Sequence, residues 1–249
     1  MEENSISKRF DLIFRKQKYR ILSGSILKTI ALVTMLIDHT AAHVLFKTDF
    51  AKEPLLPIIS QKFTLYTLCR SIGRLAFPIF CFLITEGYIH TRDKKKYWVS
   101  LLAFAVISEI PWNLAHSGKL VYKSQNVFFT LFLGFAAIWA YDSFKKDKPK
   151  LLVALLALFI VSLLIRSDYG CKGMAFILIL YLLREQKILQ AFIGSCVLSN
   201  SLFIMAAFVP INMYNGKRGF IKGNIMKYAF YIFYPAHLLL LYFIGKRGI

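Results

Sequence analysis

Apolar stretches of membrane-crossing length dominate this sequence. The first covers about 27–46, and others follow at approximately 68–90, 97–115, 126–143, 150–166, 170–183, 187–209 and 226–246. A helix needs about 20 mostly apolar residues to cross a bilayer. The chain therefore reads as all-α, a polytopic transmembrane bundle of about eight helices, some kinked or broken. One transmembrane domain fills 1–249, with a basic amphipathic head over 1–26 and the bundle over 27–246. The 170–183 piece is short for a crossing and reads as tilted or re-entrant. Pro78 and Pro111 fall inside spans, where the ring frees a carbonyl and kinks the helix. A basic head before an apolar body also describes a cleavable leader, but Asp38 and His39 interrupt this body. The first span is expected to be retained.

Charge narrows the class further. Lys and Arg number 32 against 13 Asp and Glu, a net charge of +19 that alone would suggest a nucleic-acid partner. With 57% hydrophobic and 18% charged residues, however, the chain has too little polar material for a water-facing surface. The expected partner is the lipid bilayer, and no nucleic acid. Cys69, Cys81, Cys171 and Cys196 lie in or beside apolar runs without a CxxC pair, and read as membrane-embedded thiols.

Short loops rich in Lys and Arg stay on the cytoplasmic side. The head, RDKKK at 92–96 and KKDKPK at 145–150 then share that side, which places the N-terminus in the cytoplasm. One loop misfits. Eight spans put 210–225 outside, yet it carries Lys217, Arg218 and Lys222. Either those charges have a role there, or the count is off by one after 166.

Ionisable groups inside spans cost about 2.5–3.5 kcal/mol each on insertion scales and usually mark function. His39 sits about 10 Å from the outer end of the first span, counted at about 1.5 Å per residue. Arg70 and Arg74 enter the second span at that level. Glu109 and Asn113 in the third span, Asn126 opening the fourth, and Arg166, Asp168 and Lys172 in the outer turn after the fifth fall in the same layer. Tyr234 and His237 lie in the last span. Distant segments thus converge on one polar site in the outer half of the bilayer. His39 and His43 have the spacing of paired metal ligands, as do Glu86 and His90, but the second pair belongs to the inner end, about 20 Å away. No metal is expected, and His43 reads as an interfacial, solvated histidine.

Four blocks carry a resemblance. They are LKTIALVTMLIDHTA at 27–41, GRLAFPIFCFLITEGYIHT at 73–91 followed by KKYWVSLLAFAVISEIPWNLA at 95–115, NVFFTLFLG at 126–134, and KRGF…KYAFYIFYPAHLLLLYFI at 217–244. In this order they resemble TraX-type membrane proteins over nearly the whole chain. That family is associated with N-terminal acetylation of conjugative pilin, and is similar to the wider group of membrane acyltransferases that use cytoplasmic acyl-CoA. The resemblance implies a multi-pass protein of the bacterial cytoplasmic membrane and carries the catalytic role onto His39.

The expected reaction moves an acetyl group from cytoplasmic acetyl-CoA to an amine or hydroxyl acceptor, on a peptide N-terminus, glycan or lipid, at the outer side. His39 serves as general base, with Asp38 holding its tautomer through a neighbouring helix or water. Arg70 and Arg74, with Glu109, Asn113, Asn126, Tyr234 and His237, bind the acceptor or the oxyanion. Arg92, Lys94, Lys95 and Lys96, with Glu86, are expected at the donor, and Lys145 and Lys146 add positive charge for its phosphates. The competing reading is a transporter or exporter of a small or lipid-like substrate without covalent chemistry, although no inverted repeat is visible. A non-catalytic assembly factor is the third.

Overall fold

The computed structural model describes residues 19–56, 60–198, 202–221 and 223–247. Most of the basic head expected over 1–26 lies outside the described residues. The fold is all-α: α1 is Gly24–His43, α2 Leu65–Gly73, α3 Ala76–His90, α4 Lys94–Ile107, α5 Glu109–Ser117, α6 Val127–Phe144 and α7 Lys148–Ile165. Then come α8 (Gly170–Leu182), α9 (Lys187–Leu198), α10 (Leu202–Asn212) and α11 (Gly223–Arg247). A small antiparallel ribbon, β1 (Pro54–Leu56) and β2 (Ser60–Thr64), joins α1 to α2, with Pro54 opposite Thr64 and Leu56 opposite Ser60.

Polar residues at the loop edges set where the helices begin. Thr64 and Thr67 form a capping box at α2, and Asp93, Asn126 and Asp147 accept backbone N–H groups at the starts of α4, α6 and α7. The breaks follow the prolines. Pro78 and Pro111 are each the third residue of their helix, and a proline ring clashes with the carbonyl four residues earlier. Those carbonyls belong to Arg74 and Ile107, where α2 gives way to α3 and α4 to α5. The second and third spans are therefore each two helices end to end.

The core is apolar, built around Phe82, Phe135, Phe176 and Leu180 where α3, α6 and α8 meet. The outside is apolar as well. On α7 only Ser162 is buried, and Leu152, Val153, Leu156, Ile160, Leu163 and Leu164 face outward. An apolar helix with an apolar exposed face belongs in lipid. Six helical stretches are long and apolar enough to cross a membrane, and the chain is a membrane protein.

The last third of the chain corrects the count of eight spans. The stretch 187–209, expected to be one crossing, comprises α9 and α10, which rise only about 18 and 17 Å. The pair opens and closes at the end where α1 begins. Tyr181, near the end of α8, bonds the Asp142 carboxylate that Tyr88 also bonds from the last turn of α3. After α10, Leu22 N–H donates to Met213 O, Gly24 N–H to Lys217 O and Ser25 N–H to Arg218 O. Lys217 and Arg218 therefore sit beside the start of α1, on the side of the other basic loops. The pair α9–α10 enters and returns, and α11 runs parallel to α1. The apparent misfit of 210–225 came from counting this hairpin as a crossing.

Candidate active site

The parallel run of α1 and α11 brings together two histidines 198 residues apart. His39 Nδ1 lies 2.7 Å from His237 Nε2, and the rings are coplanar, 2° apart, with centroids at 5.0 Å. The hydrogen bond thus runs along the ring plane, where the lone pair points. A second bond decides its direction. His237 Nδ1 lies 2.8 Å from the Phe233 carbonyl, which only accepts, so His237 carries its proton on Nδ1. In the neutral ring Nε2 is then bare and accepts. His39 consequently donates from Nδ1, and its own Nε2 keeps a lone pair. A backbone carbonyl, relayed through one imidazole, makes His39 a base at a defined nitrogen.

Asp38 does not perform that orienting role, contrary to the sequence expectation. It accepts from Arg70 Nη1 at 2.7 Å, with the two side chains 21% and 41% exposed. The close approach of α2 to α1 here depends on Gly73, where a Cβ would collide with the Asp38 side chain. Arg74, one residue past α2, also places its charge near Asp38.

His39 lines a cavity of about 450 Å³ with Asp38, His43, Arg70, His116 and Asp168. His43 is not the solvated interfacial residue expected. Its ring meets His116 edge-on at 4.7 Å, and its buried Nε2 has no hydrogen-bond partner. His116 was not singled out by sequence; it lies against Trp112 at 3.6 Å and donates from Nδ1 to the Trp112 carbonyl at 3.0 Å. Among the described residues, no three His, Cys, Asp or Glu side chains are grouped to hold a metal ion.

Asp168 enters from the turn between α7 and α8. That turn is clamped on both sides. Arg166, in the left-handed region at φ 53°, accepts from Gln125 N–H at 3.1 Å, and Ser167 bonds Thr130 at 2.9 Å. The Tyr169 ring stacks on Phe77 at 3.4 Å. Asp168 lines the cavity while remaining exposed, and partial loss of hydration, reinforced by the charge of Asp38 and opposed by Arg70, pushes its carboxyl up to about 6.

Other expected site residues lie elsewhere. Asn126 donates from Nδ2 to Glu109 at 2.6 Å and to the Ala105 carbonyl at 2.8 Å while its Oδ1 caps α6. Asn113 donates to the Leu120 carbonyl at 2.8 Å. These three tie α4, α5 and α6 together, and none lines the cavity. Tyr234 lies behind the histidine pair, its ring 6.2 Å from His39 and its buried hydroxyl without a partner.

The expected donor residues also divide. Lys94 donates to the Tyr88 hydroxyl at 2.9 Å and lies 3.8 Å from Asp142, so it is engaged within the bundle. Lys145 pairs with Asp142 at 3.4 Å and Glu86 with His90 at 3.4 Å. Arg92 and Lys146 are exposed. Lys95 and Lys96 flank an open groove of about 450 Å³ between α4 and the start of α11, walled by Phe104 and Tyr228. From that groove a file of rings leads towards the histidines: Phe104 on Tyr231 at 4.7 Å, Tyr231 to Phe128 at 6.1 Å, Phe128 to Tyr234 at 5.2 Å.

A family model described as TraX protein matches residues 23–245. The chain belongs to the TraX family. The matched span runs from Ser23, the cap of α1, to Gly245, whose carbonyl accepts from Lys47 at 2.6 Å, and so contains both histidines of the pair. A relative named "Probable fimbrial assembly protein FimC, serogroup H1", from Dichelobacter nodosus, is 30% identical, over 86% of this chain and 92% of that one. No solved structure gives a significant match.

Proposed function

We propose that this TraX-family protein is an integral membrane acetyltransferase, moving an acetyl group from cytoplasmic acetyl-CoA to an amine or hydroxyl acceptor beyond the membrane. The observation that carries the reading is the His39–His237 pair, which leaves a bare imidazole nitrogen on a cavity wall with no structural task. The acceptor enters this cavity from the end opposite the basic loops. His39 Nε2 takes the acceptor's proton as it attacks the thioester carbonyl, and returns it to the departing thiolate. Arg70, held by Asp38, supplies positive charge where the tetrahedral oxyanion develops. General-base assistance of this kind contributes about 10²–10⁴ in rate.

The donor arrives from the basic end, assigned to the cytoplasm by its Lys and Arg content. The groove beside Lys95 and Lys96 meets its phosphates, and the slender arm follows the aromatic file along α11. Tyr228 and His237 are nine residues apart, about 14 Å of helix rise, which sets the length the arm must cover. The relative's name points to a fimbrial subunit as the acceptor class. The test is labelled-acetyl transfer from acetyl-CoA by the protein in proteoliposomes, with mass spectrometry of surface appendages from cells with and without it. We expect a single acetyl group that is lost in His39→Ala. Full transfer by that variant would remove His39 from the reaction.

A further inference from the structure

The groove between α4 and the start of α11 opens where a membrane protein meets lipid. The stretch Lys94–Ser117 is long and apolar enough to cross a bilayer. Along the groove Val99 is 48% exposed and Ala103 is exposed, and Tyr228 on the facing helix is 40% exposed. The mouth is basic. Lys95 and Lys96 line it from the first turn of α4, whereas Lys94 is engaged by Tyr88 and Asp142. Asp93 lines it too, but its carboxylate accepts from the Lys96 backbone N–H as the cap of the helix. Lys96 and Phe104 are eight residues apart, about 12 Å of helix rise, so the walls run from the headgroup level to the depth of acyl chains. Apolar walls at that depth favour hydrocarbon over water.

We propose that this groove seats one anionic glycerophospholipid of the leaflet at the basic end, with its phosphate on Lys95 and Lys96 and an acyl chain along Val99, Ala103, Phe104 and Tyr228. The lysines select the headgroup, since one basic side chain at an anionic membrane surface favours binding by about fivefold. The walls select a lipid over a soluble phosphate, because only a lipid brings hydrocarbon to cover them. The seat stands on the groove alone. Its consequence rests on the acetyl-transfer reading, in which the donor's phosphates meet the same two lysines. Lipid and donor then exclude one another, and anionic lipid raises KM for acetyl-CoA while leaving kcat unchanged.

The experiment uses the full chain in detergent and three probes: phosphatidylglycerol, phosphatidylcholine with the same acyl chains, and soluble glycerol 3-phosphate. Binding is read first, by native mass spectrometry. Wild type should retain one phosphatidylglycerol at least about tenfold more tightly than phosphatidylcholine, and should not hold glycerol 3-phosphate. Lys95→Gln with Lys96→Gln should erase the headgroup preference at about fivefold per lysine. Ala103→Trp fills the exposed groove without touching a charge, and should release the lipid with both lysines in place. Lys146→Gln with Lys148→Gln removes exposed charge at the same end but outside the groove, and should change retention by less than about twofold. Equal loss in that pair would show diffuse attraction and overturn the seat, as would equal retention of the two lipids by wild type or tight binding of glycerol 3-phosphate. Labelled-acetyl transfer is read second. The KM for acetyl-CoA should rise with phosphatidylglycerol and level off at about one bound lipid per protein, as a site does and a surface potential does not. Retention in the groove with an unchanged KM overturns the competition and the donor route through Lys95 and Lys96, and leaves the seat. Absence of any transfer defeats the acetyltransferase reading and the competition with it, while retention still decides the seat.

Discussion

Replacing His237 by Ala removes a group that touches neither reactant in the proposed reaction, and it tests whether His39 is set up by its partner. The structure fixes the size of the effect. His237 contributes one hydrogen bond, 2.7 Å long and in plane, to His39 Nδ1. A hydrogen bond of this kind contributes about 0.5–1.5 kcal/mol net. At about 1.36 kcal/mol per tenfold, its loss slows transfer by about 2–13-fold if only binding of the ring is affected. Loss of the correct tautomer adds to that, up to the limit set by His39 itself, about 10²–10⁴. The decisive measurement is the double variant. Because His237 acts through His39, His39→Ala with His237→Ala should be no slower than His39→Ala alone, in turnover of labelled acetyl-CoA by protein of matched thermal stability. If the two losses multiply, His237 works independently and the relay is wrong.

Three other outcomes follow from the same geometry. In a background without the four natural cysteines, Lys217→Cys should be labelled by a membrane-impermeant thiol reagent from the same side as Lys95→Cys, and Lys123→Cys from the other; labelling of Lys217→Cys with Lys123→Cys would make 187–209 a true crossing. Gly73→Ala should push α2 from α1 at Asp38 and lower stability by about 1–3 kcal/mol, the usual cost of overpacking, and an unchanged melting temperature would refute the close contact. Asp168 has a carboxyl pKa raised from 3.8 to about 6 in the folded protein, so ionisation disfavours folding and wild type loses stability as pH rises from about 4 through 6. Asp168→Asn should therefore melt higher than wild type at about pH 8, with the advantage gone below about pH 4; an advantage that persists in acid would show that charge is not its source.

Much of the site's layer was legible because the bilayer makes charge costly. His39, Arg70 and His237 stand out as ionisable groups in apolar runs, and the structure gathers all three at one level. What the sequence did not specify was pairing. Asp38 neighbours His39 in the chain, but consecutive residues point about 100° apart on a helix, and α2 supplies Arg70 to one face while α11 supplies His237 to the other. Asp168 could be placed in the layer but not in the cavity, since that depends on a turn clamped by α6 and Phe77. Glu109 and Asn126 gave the same signal as the cavity residues, yet satisfy each other and a helix end. The α9–α10 hairpin was misread because two apolar half-helices in succession have the hydropathy of one crossing.

The breaks explain why the cavity sits where it does. Pro78 and Pro111 interrupt the second and third spans, which leaves α2 and α5 as separate half-helices in the layer of His39. Those half-helices carry Arg70 and His116, so each is positioned by its own packing, α2 against Asp38 through Gly73 and α5 against α11. The two histidines of the pair instead ride on α1 and α11, which continue as single helices through this layer, α11 despite Pro235 in its interior, and start from a shared hydrogen-bonded junction at Ser25 and Ile221. The base and its orienting partner are thus fixed to the two most continuous elements of the site, where a 2.7 Å contact in one plane can be kept. Arg70, proposed to meet the oxyanion, is carried by a short segment instead. A shift in α2 would move the oxyanion partner without disturbing the tautomer of His39, so variants at Arg70 and at His237 should have independent effects on the rate.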